Sequence, residues 1–326
     1  MIRNVWTNFL PTKAHPFRGY LYIAAATFLW GISATMGRAV FTGRWGGHAM
    51  SPIDPLILAQ SRTTVSFLVL LPILLWLRGT RGLAMPKRDI LQVFVLGVFG
   101  VAASNYFYYL AIQKTNVAIA ITLQYTAPVW VLLYMVARGF QKPTLQRISA
   151  VALAVCGIAL AIGLVGTTGF QVNGAGLGAA MVAAFSFAFY NVGGHSILAR
   201  YDRWRVLLYA LASAAAFWMV VNPPWKIASA HYGQAEWLFL VVFAITSVLL
   251  PFSLYFAGLQ HLDATRAIVG SCLEPVFSIV IAALVLGETV RPMQTLGIVA
   301  VLAAIVVVQM PERGSPSEVT AVEPIE

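Results

Sequence analysis

Along this chain, apolar runs of about 20 residues alternate with short connections holding Gly, Pro, Arg or Lys. Ten such runs are read: Gly19–Phe41, Leu56–Leu77, Ile90–Ile112, Val117–Ala137, Leu145–Val165, Ala175–Ala199, Trp204–Val221, Glu236–Leu259, Ala264–Leu286 and Pro292–Met310. At 1.5 Å per residue, about 20 residues cross the roughly 30 Å of a bilayer's hydrocarbon. The runs are continuous and lack the apolar/polar alternation of barrel strands. They therefore predict helices, which satisfy their own backbone N–H and C=O groups in lipid.

One pattern occurs twice. Tyr108/Tyr255, Gln113/Gln260, Ala120/Ala267, Ile121/Ile268, Pro128/Pro275 and Val129/Val276 are all 147 residues apart (275 minus 128), with no gap. Ala26/Ala183, Phe28/Phe185 and Gly37/Gly194 match at an offset of 157, and the long 42–55 connection accounts for the difference. Five spans per copy is an odd number, so the second copy enters the membrane from the opposite side. The expected fold is an all-α integral membrane protein with ten transmembrane helices in two inverted five-helix repeats, 19–165 and 174–310. An N-terminal tail (1–18) and a Glu-, Ser- and Pro-rich disordered tail (311–326) flank them. Inverted duplication within lipid is the mark of a secondary transporter, with its site where the halves meet.

Composition agrees with this: 60% of residues are hydrophobic and 10% charged, where soluble domains carry about 25% charged residues. With a cytoplasmic N-terminus, 15 Lys and Arg fall in inside segments, 5 outside, and Arg62 lies within a span. The positive-inside rule then places both termini of this multi-pass protein in the cytoplasm. The net charge of +10 is thus a topology signal. No nucleic-acid site is read from it, because the basic residues sit in short loops at one face. No apolar run precedes the first span, so that span is expected to be an uncleaved helix rather than a signal peptide.

Polar side chains in hydrocarbon need a partner or water, so those at depth form the list of candidates. Glu274 is the one acid near the middle of a span, beside Pro275. It is expected to couple protons or bind a substrate ammonium; the plainer reading is a protonated acid satisfying backbone groups freed by Pro275. Arg62, inside the second span, either clamps a carboxylate or phosphate or snorkels to the surface. Gln60, Asn105, Gln124 and Asn191 offer amides and Tyr106 and Tyr125 hydroxyls, for a cavity or for helix-to-helix hydrogen bonds. Gln124 stands out, one turn before Pro128 at the repeat position of Ser271. Trp30, mid-span beside Gly31, suits packing or a substrate contact. Tyr20, Tyr22, Trp76, Trp204 and Trp237 read as interfacial anchors. His195, at the repeat position of Arg38, reads as structural, as do Cys156 and Cys272. Gly174 with Gly178 and Gly193-Gly194 are expected to bring helices close.

An intramembrane enzyme is disfavoured. There is no HExxH, no Gly-x-Ser-x-Gly, no second mid-span acid and no Gly-Lys from which to build a P-loop. Catalytic residues, metal ligands and cofactors are therefore expected to be absent. A channel is disfavoured because ten helices in one chain offer no ring of filter residues.

Two five-helix halves, Trp30-Gly31 in the first span, the Pro128 pattern, and Leu273-Glu274-Pro275 followed by Leu286-Gly287-Glu288 resemble the EamA family of the drug/metabolite transporter superfamily. The resemblance runs over residues 19–310. It implies an inner-membrane carrier with both ends cytoplasmic, often an exporter of amino acids or small metabolites. The first half reads Gly139-Phe140-Gln141 where the second reads Leu286-Gly287-Glu288, so the acidic motif is not carried over to Gln141. The expected function is a secondary transporter working by alternating access, with a small solute, the bilayer and coupled protons as its partners. The alternative is an exchanger of nucleotide-sugars or phosphorylated solutes.

Overall fold

The computed structural model describes residues 15–41, 44–45, 48–49, 53–115, 117–162, 174–286 and 291–310. Most of both tails, the 166–173 loop, and Gly287 and Glu288 lie outside these residues. The helices are α1 (Pro16–Phe41), α2 (Pro55–Leu83), α3 (Lys87–Val95), α4 (Ala103–Lys114), α5 (Val117–Gln124), α6 (Ala127–Ala137), α7 (Leu145–Ala161), α8 (Gly174–Leu198) and α9 (Arg203–Val221). They continue with α10 (Pro224–Ala228), α11 (Gln234–Ala244), α12 (Leu250–Leu259), α13 (Ala264–Ser271), α14 (Leu273–Leu286) and α15 (Pro292–Gln309). A hairpin pairs β1 (Arg44–Trp45) with β2 (His48–Ala49).

Among the described residues, seven stretches are long and apolar enough to cross a membrane: Leu56–Leu83, Lys87–Ala111, Ala120–Ala137, Gly174–Leu198, Arg203–Val221, Gln234–Leu259 and Ala264–Ile281. Leu145–Ala161 and Pro292–Val308 are shorter apolar helices. Trp76, Val220 and Leu284 turn outward, 84%, 81% and 81% exposed, as side chains facing lipid would.

The scarce acids start helices. Asp54 accepts from the N–H of Leu56 and Ile57, Asp202 from Trp204 and Arg205, and Asp263 from Arg266, satisfying donors that the first turn leaves unpaired.

Interruptions inside the helices recur at the repeat offset. A π-helical segment, Leu96–Ala102, joins α3 to α4, and another, Ile245–Leu249, joins α11 to α12; their last residues are 147 apart (249 minus 102). The apolar stretches Val117–Ala137 and Ala264–Leu286 are also broken, at Tyr125-Thr126 and at Cys272, and Tyr125 and Cys272 are again 147 apart (272 minus 125). Proline is the cause: Pro128 and Pro275 have no N–H for the carbonyls of Gln124 and Ser271, four residues back.

The halves are interleaved. α1 packs on α12, α13 and α14 of the second half, and α8 packs on α4, α5 and α6 of the first. α2 packs on α11 and the 245–249 segment, while α9 packs on α3 and the 96–102 segment. Two mixed bundles result: α1 and α2 with α11 to α14, and α8 and α9 with α3 to α6. They meet along α2/α9, α6/α13 and α8/α12, and α7 and α15 pack on each other.

Glycine lets α7 and α15 touch, but not the glycines expected from the sequence. A Cβ on Gly297 would lie 2.3 Å from the Ala161 nitrogen, and one on Gly157 2.9 Å from the Gly297 oxygen. Gly174 and Gly178 face open space with nothing within 4 Å of a Cβ, so that pair brings no helices together. Its spacing resembles a packing motif, but the pair lies on the outward side of α8. Gly193 does admit the Leu96 side chain, 2.9 Å from its Cβ position.

Candidate functional site

The two π-helical segments matter because such a segment departs from the α-helical bonding pattern and leaves carbonyls for other donors. At 245–249 and the residue before it, α1 and α2 supply those donors. Ser66 Oγ donates to the Ala244 carbonyl at 3.0 Å, and Ser33 Oγ to Thr246 at 3.3 Å. Ser247 receives two: Trp30 Nε1 at 3.2 Å and Arg62 Nη2 at 3.2 Å. Trp30 and Arg62, far apart in sequence, therefore meet at one oxygen.

Arg62 turns inward instead of snorkelling. Its Nη1 donates to the Tyr109 hydroxyl at 3.0 Å, and the guanidinium lies over the Phe243 ring, 5.8 Å from the centroid. Its Nε and the Ser247 hydroxyl are buried and have no partner among the described residues. Glu274 accepts from the Tyr125 hydroxyl at 2.6 Å. Tyr125 sits at the break between α5 and α6, and Glu274 in the first turn of α14, just after the break at Cys272.

Around Trp30 stand aromatic rings. Phe252 packs edge-on at 5.3 Å and Tyr255 at 5.4 Å, and Tyr190 lies against both of these rings. The Tyr190 hydroxyl is buried without a partner among the described residues.

The other candidates serve more local roles. Gln124 Nε2 donates to Ser104 Oγ at 3.3 Å. Asn105 and Asn191 each bond back to their own helices, at Val101 and Phe187, and the Tyr255 hydroxyl donates to Asn191 Oδ1. Gln60 accepts from Asn222 at 2.7 Å, which ties α2 to the end of α9. His195 Nδ1 meets the Leu259 carbonyl at 3.3 Å, a contact between helices; the side chain of Arg38 lies outside the described residues. Tyr109, Tyr190, Ser247 and Tyr255 were not candidates from sequence. Tyr255 had a signal, its repeat identity with Tyr108, whereas Ser247 enters through its backbone, which sequence chemistry does not display. Among the described residues no group of His, Cys, Asp or Glu is arranged to hold a metal.

Several contacts cross between the mixed bundles at depth, among them Arg62 of α2 to Tyr109 of α4 and Tyr125 of the α5/α6 break to Glu274 of α14, beside the Tyr255 to Asn191 and Gln60 to Asn222 bonds. A scan against known families gives the same pattern at chain level, because the EamA-like transporter family matches residues 17–163 and again 174–310. The chain belongs to this family. Among its relatives, an uncharacterized inner membrane transporter, YicL, of Salmonella typhimurium is 23% identical over 301 residues, 91% of this chain and 96% of that protein. An uncharacterized transporter of Archaeoglobus fulgidus is 27% identical over 269 residues, 82% and 90% of the two chains. The threonine/homoserine exporter RhtA of Escherichia coli is 27% identical over 241 residues, 68% and 72%. A protein solved by crystallography shares the fold with a TM-score of 0.71 at 20% identity, covering 89% of this chain and 96% of its own. The chain is thus a membrane transporter of multi-pass helical architecture.

Proposed function

We propose that the protein exports amino acids or other small metabolites by alternating access, through ten spans in two inverted repeats with both termini cytoplasmic. α1, α7 and α15 bring the seven long apolar stretches to ten. Interruptions repeated at an offset of 147 and the double family match support the duplication. The name of the RhtA relative supports an amino-acid substrate.

The observation that carries the reading is that an Arg and a Glu at span depth each hold a hydroxyl across the junction of the two mixed bundles. A zwitterion can replace both hydroxyls. Its carboxylate takes the place of Tyr109 on Arg62, and its ammonium, or a proton, takes the place of Tyr125 on Glu274. Occupancy then changes two of the bonds that join the bundles, which is the differential contact a population shift needs. The moving bodies are the mixed bundles, not the sequence halves, because α1 and α8 each pack into the opposite half.

The test is counterflow of radiolabelled threonine and of a phosphorylated solute in proteoliposomes. Glu274→Gln keeps size and hydrogen bonding but cannot titrate. It is expected to fold, to keep solute binding, and to lose transport driven by a pH gradient. Wild-type rates and pH dependence in Glu274→Gln would refute proton coupling at this residue. Phosphorylated solutes alone being carried, with strict need for Arg62, would select the exchanger.

A further inference from the structure

We propose that the groove between α2 and α9 binds one anionic phospholipid, independently of what the carrier transports. The groove encloses about 320 Å³. Phe67, Leu71 and Leu75, spaced one turn apart on α2, line one wall, and Leu208 and Ala212 of α9 line the other. From Phe67 to Leu75 the wall runs roughly 12 Å at 1.5 Å per residue. This apolar shaft suits an acyl chain.

Its polar end is built by a kink. At Gly79 the backbone takes φ 64 and ψ 177, so the last turn of α2, Thr80 to Leu83, leaves the helix axis. That turn is pinned to α9: the Tyr209 hydroxyl donates to the Leu83 carbonyl at 3.0 Å, and Arg205 Nη1 to the Ala84 carbonyl at 3.3 Å. Thr80 and Tyr209 therefore line the groove at the turn that carries Arg81.

Charge at that end is unbalanced. Asp202 pairs with Arg78 at 2.6 Å and with Arg205 at 3.5 Å, so one carboxylate serves two guanidinium groups. Arg81, exposed near the end of α2, has no side-chain hydrogen bond or ion pair among the described residues. Three guanidinium groups against one carboxylate leave two positive charges beside an acyl-sized shaft. An anionic headgroup with its tail complements both parts. Free phosphate shares the headgroup chemistry but has nothing to place in the shaft. Because α2 belongs to one mixed bundle and α9 to the other, a seated lipid also clamps the junction between them.

The test uses the full chain, purified and presented with equal phosphatidylglycerol and phosphatidylcholine, with retained lipid counted by native mass spectrometry. The wild type is expected to retain one phosphatidylglycerol in preference to phosphatidylcholine. Arg81→Gln, which breaks no structural contact, is expected to lower that preference about fivefold, the effect of one guanidinium near an anionic headgroup. Ala212→Phe fills the shaft and is expected to abolish retention. Leu75→Trp is the second filling variant, should Ala212→Phe unfold. Inorganic phosphate at millimolar concentration is expected to leave the thermal transition unchanged, whereas phosphatidylglycerol vesicles raise it. Equal retention of both lipids by the wild type, an unaltered preference in Arg81→Gln, retention by a folded filling variant, or stabilisation by phosphate equal to that by lipid would each overturn the proposal.

Discussion

Gly297→Ala adds a single methyl group at the crossing of α7 and α15. That carbon would stand 2.3 Å from the Ala161 nitrogen, 2.5 Å from the Gly157 oxygen and 2.8 Å from the Ala161 Cα. Non-bonded heavy atoms prefer about 3.5–4.0 Å, so the axes must part by roughly 1 Å, and the obstacles are backbone atoms that no rotamer change can move. Overpacking of this kind costs about 1–3 kcal/mol. In lipid the loss is direct, since helix association there rests on close packing rather than on expelling water. With roughly 2–4 °C per kcal/mol for a chain of a few hundred residues, the melting temperature should fall by about 2–12 °C. Gly178→Ala is the control: it adds the same carbon on α8 where nothing lies within 4 Å. Thermal unfolding of both variants in one detergent, followed by near-ultraviolet circular dichroism, measures the difference. A Gly297→Ala melting temperature equal to that of Gly178→Ala would refute the claim that glycine sets the α7/α15 approach.

Three further outcomes follow from the geometry. Tyr125→Phe removes the 2.6 Å bond to Glu274; an intramolecular hydrogen bond contributes about 0.5–1.5 kcal/mol net, so counterflow should drop roughly two- to tenfold at unchanged folded yield, and a wild-type rate would place the pair outside the transport path. Asp202→Asn keeps an N-cap for α9 but unpairs Arg78 across the bundles. For this quarter-exposed pair, labelling of a cysteine at Gln124 from the basic face, in a Cys156→Ala background, should quicken by up to about fivefold. Asp89→Asn should not quicken it, because Asp89 and Arg200 lie within one mixed bundle, and equal effects of the two variants would count against these bundles as the moving bodies. Burial, with the charges of His15, Arg18 and Arg203 added, holds the His261 imidazole below its ordinary 6.5. The unfolded chain then binds the proton more readily, so this stability is present above 6.5 and is lost as pH falls through the lowered folded value. His261→Gln should flatten the acid limb of melting temperature against pH, and an unchanged slope would exclude His261 as its source.

Sequence by itself determined the helical membrane class, the duplication and the family. Each rests on properties that add up along the chain: span length against bilayer thickness, a charge bias between loops, and an offset that does not slip. It also marked Glu274, Arg62 and Tyr125, because ionisable or hydroxyl groups are conspicuous where nearly every neighbour is apolar. Tertiary structure alone decided which of these groups meet. Arg62 reaches Trp30 only through the carbonyl of Ser247, a backbone atom that any residue would carry, made available by a π-helical segment. Glycines show the same division: Gly174 and Gly178 have the spacing of a packing pair yet face outward, while Gly157 and Gly297, 140 residues apart (297 minus 157), form the close crossing. Spacing along one helix fixes which residues share a face, but not which face finds a partner. That depends on the exchange of α1 and α8 between the halves, a long-range packing choice that leaves no mark on either helix alone.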